Sequence, residues 1–319
     1  MKTSLALGLL CLSGISCGGG GDGTLTGSAP PFDAGRGQSG STGSSSPSAA
    51  TSDAARGPGS VSSGSSDDCS DAAKLVYVVD QNGQLASFRP DKLQFLDIGA
   101  LGCDKSSNPF SMSVDRQGSA WIIYGSGRLY RASTSDASCT ATSRPGGAGG
   151  FSQFGMGFVA SAAKPAQDTL FIAGSGGDPL DVLLGTQTRL GVIDTSTLST
   201  TSIGPLDGSS PELTGTGDGK LWAFYAVSSP PQLQRLDPKT ATTLESHVLE
   251  AIDSAGASAW AMAFWGGDFW LFLQSVGASS TTVYRVDGTT FEQTVAIKDT
   301  GRSIVGAGVS TCAPLVQLL

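Results

Sequence analysis

Histidine is almost missing from this chain: His247 is the single one in 319 residues. That leaves no material for a histidine-ligated zinc or a His-dependent triad. Charge is also scarce, at 14% Asp, Glu, Lys and Arg, and it runs acidic, with a net charge of −8. A surface that holds a phosphate backbone needs the opposite sign, so no nucleic-acid partner is expected. No apolar run reaches the ~20 residues that span a bilayer as a helix. The N-terminal run, residues 5–12, has eight. Proline is limited to 15 residues and the 45 glycines follow no period of three, which excludes a collagen-type helix. The six cysteines include no Cys-x-x-Cys pair, so neither a metal nor another cofactor is expected.

What is present divides into three parts. The first is an address. Met1-Lys2 is a short basic start, residues 5–12 form an apolar core, and Ser13-Gly14-Ile15-Ser16 lead to Cys17. Small residues just before a cysteine resemble a bacterial lipoprotein signal, although Gly14 stands where the commonest form has Leu. The resemblance implies cleavage before Cys17 and acylation of that residue with palmitate-type chains. Several acyl chains hold a protein stably on a membrane, where one holds it marginally. Gly18 rather than Asp after the cysteine implies, by the same resemblance, sorting to the outer membrane. An ordinary secretory signal that happens to contain a cysteine is the competing reading.

The second part is a tether. Residues 18–68 hold 13 Gly and 13 Ser, and only Leu25, Phe32 and Val61 offer much apolar surface. Such a segment cannot offset its ordering entropy, so disorder is expected over residues 17–68. As a flexible coil of about 50 residues it reaches roughly 40 Å.

The third part, residues 69–319, repeats. A short apolar strand with an aromatic residue recurs at Tyr77, Trp121, Phe171, Trp222 and Trp270, spaced 44, 50, 51 and 48 residues apart. A strand-rich repeat of 40–50 residues is the length of one propeller blade. Call this second strand of each blade strand B. A two-faced strand C follows, anchored at Leu85, Leu129, Leu190, Leu233 and Val283, and Asp-Gly or Asp-Pro turns lead on to strand D. Strand A precedes B at residues 110–114, 155–159, 213–217 and 260–264, with small residues at alternate places in three of the four. Inner strands crowd the axis of a propeller, which explains the small face. The chain enters at a B strand, Leu75 onward, and exits at an A strand, Ile304 to Val309, so the two ends are expected to complete one blade. The fold class expected is all-β, a five-bladed propeller closed by pairing of the C-terminal strand with the N-terminal blade. Two stacked sandwiches or a six-bladed ring are the competing arrangements.

The stretch from Val114-Asp115-Arg-Gln-Gly118 to Trp121, followed by Gly127-Arg-Leu-Tyr-Arg131, is similar to the Asp-x-x-Gly-x-x-Trp repeats of NHL-like and regulator-type bacterial propellers. Gly217-Asp-Gly-Lys-Leu-Trp222 is a degenerate copy. The whole arrangement of signal, Gly/Ser tether and propeller resembles the myxobacterial lipoproteins. That resemblance implies an address and no activity.

With Cys11 in the signal and Cys17 acylated, four cysteines remain, which allow three pairings. An exported compartment permits disulfides. Ring closure brings Cys69 to Cys312, and elimination leaves Cys103 with Cys139, although these two lie nominally on opposite faces of the ring.

The gaps from the B aromatic to the C anchor are 8, 8, 19, 11 and 13 residues. The enlarged B–C loops share a face with the D–A connections, and variable loops on a rigid scaffold are where binding residues concentrate. The candidate ring on this face is Asn108, Gln153, Glu212, Trp260 and Arg302. Glu212 and Arg302 suit a polar ligand, and Trp260 suits a sugar or aromatic ring. Asp80, Asp115 and Asp218 read as turn residues, Trp121, Trp222 and Trp270 as core, and His247 as an exposed residue of an outer strand. The sequence therefore favours a non-enzymatic binding or scaffold module for a protein or glycan, displayed from a lipid anchor. The alternative is a propeller hydrolase or lyase acting on an extracellular polymer. Its carboxylates would converge about 5–10 Å apart, and Glu212, Asp253 and Asp299 are the candidates. A third possibility is a purely structural envelope lipoprotein.

Overall fold

A computed structural model describes residues 69–161, 167–175, 187–252 and 256–316. The signal, Cys17 and the tether lie outside these residues, as do Asp253 and most of the long B–C loop of the third blade.

The described strands form five four-stranded antiparallel sheets. The first blade contains β1 (Val76–Asp80), β2 (Gln84–Arg89) and β3 (Gln94–Ala100). The second contains β4 (Pro109–Val114), β5 (Ser119–Tyr124), β6 (Leu129–Ser133) and β7 (Cys139–Ala141). The third is β8 (Gln153–Ala160), β9 (Asp168–Ser175), β10 (Arg189–Ile193) and β11 (Thr200–Pro205). The fourth is β12 (Glu212–Gly215), β13 (Leu221–Tyr225), β14 (Gln232–Leu236) and β15 (Thr243–Val248). The fifth is β16 (Ala257–Trp265), β17 (Asp268–Ser275), β18 (Thr282–Asp287) and β19 (Gln293–Ile297). The last strand, β20 (Ile304–Gly308), hydrogen-bonds to β1 and is the inner strand of the first sheet, in the order β20-β1-β2-β3.

The repeated aromatic sits at the same place in each B strand, and burial explains why. Tyr77, Trp121, Phe171, Trp222 and Trp270 are all buried. Five apolar clusters fill the five boundaries between neighbouring blades; one joins Trp121 of the second blade to Phe158 of the third, another Trp222 of the fourth to Phe269 of the fifth. The outer D strands are largely exposed, as their alternation of Thr, Gln and small residues requires.

The inner strands touch in a cycle: β4 on β8, β8 on β12, β12 on β16, β16 on β20, and β20 on β4. Their small residues are a steric requirement. A Cβ added at Gly215 would collide with the Phe158 backbone carbonyl of the neighbouring blade. The cycle has two ends. B–C loops and D–A connections lie on one, here the loop face; A–B hairpins and C–D turns lie on the other, the hairpin face.

Both remaining cysteine pairs are joined. Cys69 bonds to Cys312, with Cα atoms 5.8 Å apart, and Cys103 bonds to Cys139, with Cα atoms 5.3 Å apart. The second pair is not split between faces as its strand positions suggest. Each strand is rotated by about 20–25° on its neighbour, so the outermost strands swing far off the axis direction. The end of β3 thereby reaches the C–D turn of the next blade, where Gly99 lies against Ala137, just before Cys139. One smaller expectation changes. His247 is half-buried, not exposed: its ring stacks on Phe291 at 3.4 Å and its Nε2 lies 2.8 Å from Glu245 Oε1. Phe291 belongs to the turn before β19, with φ of 60°.

Candidate functional site

On the loop face, four of the five candidate residues form a connected arc. Asn108 stands just before β4, and its backbone carbonyl accepts from Gly125 N–H at 2.9 Å. Gln153, the first residue of β8, donates through Nε2 to the carbonyl of the same glycine at 3.1 Å. Gln153 and Glu212 then line a small recess of about 70 Å³, with Phe110 and Ser210 also in its wall. Trp260, on β16, donates its indole N–H to the Ser210 carbonyl at 3.0 Å. The arc therefore spans the second to fifth blades.

Arg302 stands apart from that arc. It ion-pairs with Asp97 of β3, and its guanidinium lies 5.7 Å from the Phe95 ring centroid. The structure does not bring Arg302 to Glu212. Asp97 holds it instead, although β3 lies at the opposite edge of the sheet from β20.

Glu212 is the chemically unusual member. It is 3% exposed, and Ser111 Oγ of the second blade donates to its Oε2 at 2.8 Å. Burial drives its carboxyl well above the usual carboxylate range, opposed by the Ser111 hydrogen bond. The contact crosses from β12 to β4, with the third blade between them, and depends on the side-chain-free Gly155. A Cβ there would strike the Pro211 carbonyl, immediately before Glu212. Asp299, the other described carboxylate weighed for hydrolysis, is held in its own loop by Ser280 Oγ and by Gly301 N–H at 3.1 Å.

The hairpin face is different in kind. The segment after β20 crosses it. Ser310 Oγ donates to Ala73 O at 2.6 Å in the first blade. Thr311 Oγ1 donates to Asp168 Oδ2 at 2.7 Å in the third and accepts from Arg116 NH1 of the second at 3.2 Å. Gly266 N–H of the fifth blade donates to Pro314 O at 2.7 Å. The Cys69–Cys312 disulfide lies within this segment, and Arg116 NH2 approaches Cys69 Sγ at 3.5 Å.

The Asp-x-x-Gly-x-x-Trp repeat has a structural role here. Asp115 Oδ1 accepts from the N–H groups of Gln117 and Ser119, at 3.1 and 2.9 Å, which closes the A–B hairpin. Its Oδ2 accepts from Trp121 Nε1 at 3.0 Å and from Arg131 NH2 at 3.4 Å. The turn reading of Asp115 is therefore incomplete, because the same carboxylate orients the core tryptophan. The Arg116–Asp168 pair, at 3.3 Å and largely buried, was not singled out from the sequence. Its residues lie 52 positions apart in different blades, and no local pattern relates them.

No family model matches the chain, and no curated protein does. Solved structures do. One from a nidogen/laminin complex is 10% identical, with a TM-score of 0.47, covering 73% of this chain and 97% of that one. TolB from Acinetobacter baumannii is 13% identical with a TM-score of 0.44, over 72% of this chain and 54% of its own. A Bacteroides caccae protein is 8% identical with a TM-score of 0.42, over 73% and 97%.

Proposed function

We propose that this chain is a non-enzymatic binding or scaffold module of the bacterial envelope, held on the outer membrane by acylated Cys17 and presented through the tether of residues 17–68. The β20–β1 pairing closes the ring in solution in this reading. One observation carries the choice of face: the chain's own C-terminal segment, stapled by Cys69–Cys312, crosses the hairpin face, whereas the loop face holds the recess at Gln153 and Glu212. A rigid ring with one mouth crossed by its own chain presents the other to a partner. The recess is too small for a whole ligand, so it receives one polar group of a protein or glycan. Glu212, whose carboxyl pKa burial raises, supplies a hydrogen-bonding group there, and Trp260 borders the same rim.

A screen of glycans and metabolites against the full-length protein tests this. Binding is expected to fall at least tenfold in a combined Glu212→Ala, Trp260→Ala variant. Specific binding that survives both substitutions places the site elsewhere.

The enzymatic alternative draws on Glu212 as well, since a general acid needs a raised carboxyl pKa. A glycoside hydrolase or lyase also needs a second convergent carboxylate. Turnover of an extracellular polysaccharide, abolished by Glu212→Gln, would establish that alternative and remove the binding-only reading.

A further inference from the structure

Six non-glycine residues among those described have a positive φ. Five of them, Leu93, Ala137, Leu198, Ala241 and Phe291, fall one to a blade in the C–D turns, so the repeated turn accounts for them. The sixth, Ser210, belongs to no such turn. It precedes β12 on the loop face, with φ of 49°, and its carbonyl is held by the Trp260 indole at 3.0 Å. Left-handed backbone at a residue other than glycine is strained and persists only where its surroundings hold it. The same residue forms part of the wall of the recess of about 70 Å³ at Glu212.

The hydrogen-bonding inventory of that recess is one-sided. Gln153 commits its Nε2 to the Gly125 carbonyl, which leaves Oε1, an acceptor. Glu212 receives Ser111 Oγ on Oε2, which leaves its own Oε1. Thr188, 4% exposed, and Ser210 add hydroxyl groups, which accept as readily as they donate. Among the described residues of the wall, Glu212 is the one ionisable group, and neither lysine nor arginine lines it. Ser111 meets Glu212 from β4, and Gly155 faces it from β8. Of the charged residues on the flanking loops, Arg144 covers Phe154 and Asp207 is exposed three residues before Ser210; neither lines the recess. The wall thus offers acceptors to an incoming group and supplies no cation to its carboxyl.

From this inventory we infer that the recess takes the primary ammonium of a lysine side chain from a partner protein. The inference rests on the loop-face reading and names the polar group that enters there. An ammonium brings three donors and no acceptor, which matches the free Oε1 atoms of Gln153 and Glu212. Its charge compensates a carboxylate that is otherwise costly to bury. A carboxylate or phosphate would meet Glu212 with no cation beside it. A guanidinium is the poorer fit, because its planar fork pairs best with both oxygens of a carboxylate, and Ser111 already holds one. The net charge of −8 favours a basic partner. Arrival of the ammonium displaces the proton that burial favours on Glu212, so binding is coupled to proton release.

The test is an NMR titration of the isotope-labelled full-length protein with Nα-acetyl-lysine methylamide. Nα-acetyl-norleucine methylamide, which lacks the amine, and glucosamine are the counter-probes. The lysine probe is expected to shift the backbone amides of Gln153, Ser210 and Glu212 saturably, and the counter-probes to leave them in place. Its affinity is expected to rise from pH 5 to pH 7, by up to about tenfold per unit, because the carboxylate must form before the ammonium is held. A ligand that only hydrogen-bonds to the protonated acid would weaken over the same range. Glu212→Gln is expected to cost at least tenfold, and Glu250→Gln, at an exposed position of the same face, to change nothing. Glu212→Gln keeps an oxygen for Ser111, and thermal melts separate lost binding from lost folding. The pH series and the counter-probes need no variant. The inference falls if the lysine probe shifts none of these amides, if either counter-probe shifts them equally, or if affinity does not rise with pH. A ligand from the glycan and metabolite screen that then still needs Glu212 and Trp260 would keep the loop-face site without the ammonium; absence of any such ligand would remove both readings.

Discussion

Thr311 Oγ1 donates a 2.7 Å hydrogen bond to the carboxylate of Asp168, a residue 143 positions earlier in the chain. The bond ties the C-terminal segment to the third blade, and Arg116 of the second blade meets both partners. Burial raises the Asp168 carboxyl, while Thr311 and Arg116 oppose the rise.

Removing that carboxylate leaves a largely buried guanidinium with less compensation. Asp168→Ala is expected to destabilise the domain by about 3 kcal/mol. Thr311→Val is expected to cost about 1 kcal/mol. Asp91→Ala, which breaks the exposed pair with Arg89, is expected to stay within about 0.5 kcal/mol. Urea unfolding of the three variants measures the order.

The two disulfides close loops of very different length, 243 and 36 residues. In the chain-entropy account, loss of Cys69–Cys312 costs about 5.5 kcal/mol and loss of Cys103–Cys139 about 4 kcal/mol. Unfolding of the paired Cys→Ser variants checks the difference. Equal costs would argue that strain or residual denatured structure, rather than loop length, sets the contribution.

Glu212 gives the fold a pH signature. Its folded pKa is raised, so the folded state keeps a proton that the unfolded state releases above its ordinary value of 4.5. Its contribution to stability is therefore full below that value and is lost as pH rises from there toward the folded pKa, at up to about 1.4 kcal/mol per pH unit. Glu212→Gln is expected to remove that slope. Chemical denaturation at pH 5, 6 and 7 compares the two proteins, and parallel curves would refute the assignment.

Gly215→Ala places a methyl group into the Phe158 carbonyl of the adjacent blade. A loss of about 3 kcal/mol or more is expected, at the top of the range for overpacking. Gly102→Ala, with no atom within 4 Å of the added Cβ, is expected to be near neutral. Thermal unfolding of the pair gives the contrast.

The proposed anchor is tested outside the propeller. Cys17→Ala is expected to move the protein from the membrane fraction to the soluble one, because acyl chains alone then no longer hold it. Continued membrane attachment would rule the lipid anchor out.

Much of the architecture is legible along the chain because each blade repeats one local pattern. An aromatic in strand B, a leucine or valine anchor in strand C and small residues in strand A recur at nearly constant spacing. Alternation and turn chemistry act over a few residues, so they can be read without knowing the neighbours. The same locality identifies Asn108, Gln153, Glu212 and Trp260 as residues of one rim. It does not say that Arg302 turns to Asp97 instead, or that Ser111 reaches Glu212 across 101 residues.

The sequence by itself determines five repeats, the positions of their core aromatics and the glycines that inner strands require. Only the tertiary structure decides which blade faces meet. It buries Glu212, pairs Arg116 with Asp168, joins Cys103 to Cys139, and lays the C-terminal segment across the hairpin face. The physical reason is the same for all of these. Strand twist and the curvature of the ring are collective properties of the twenty described strands, and they set the distances between residues that no local pattern connects.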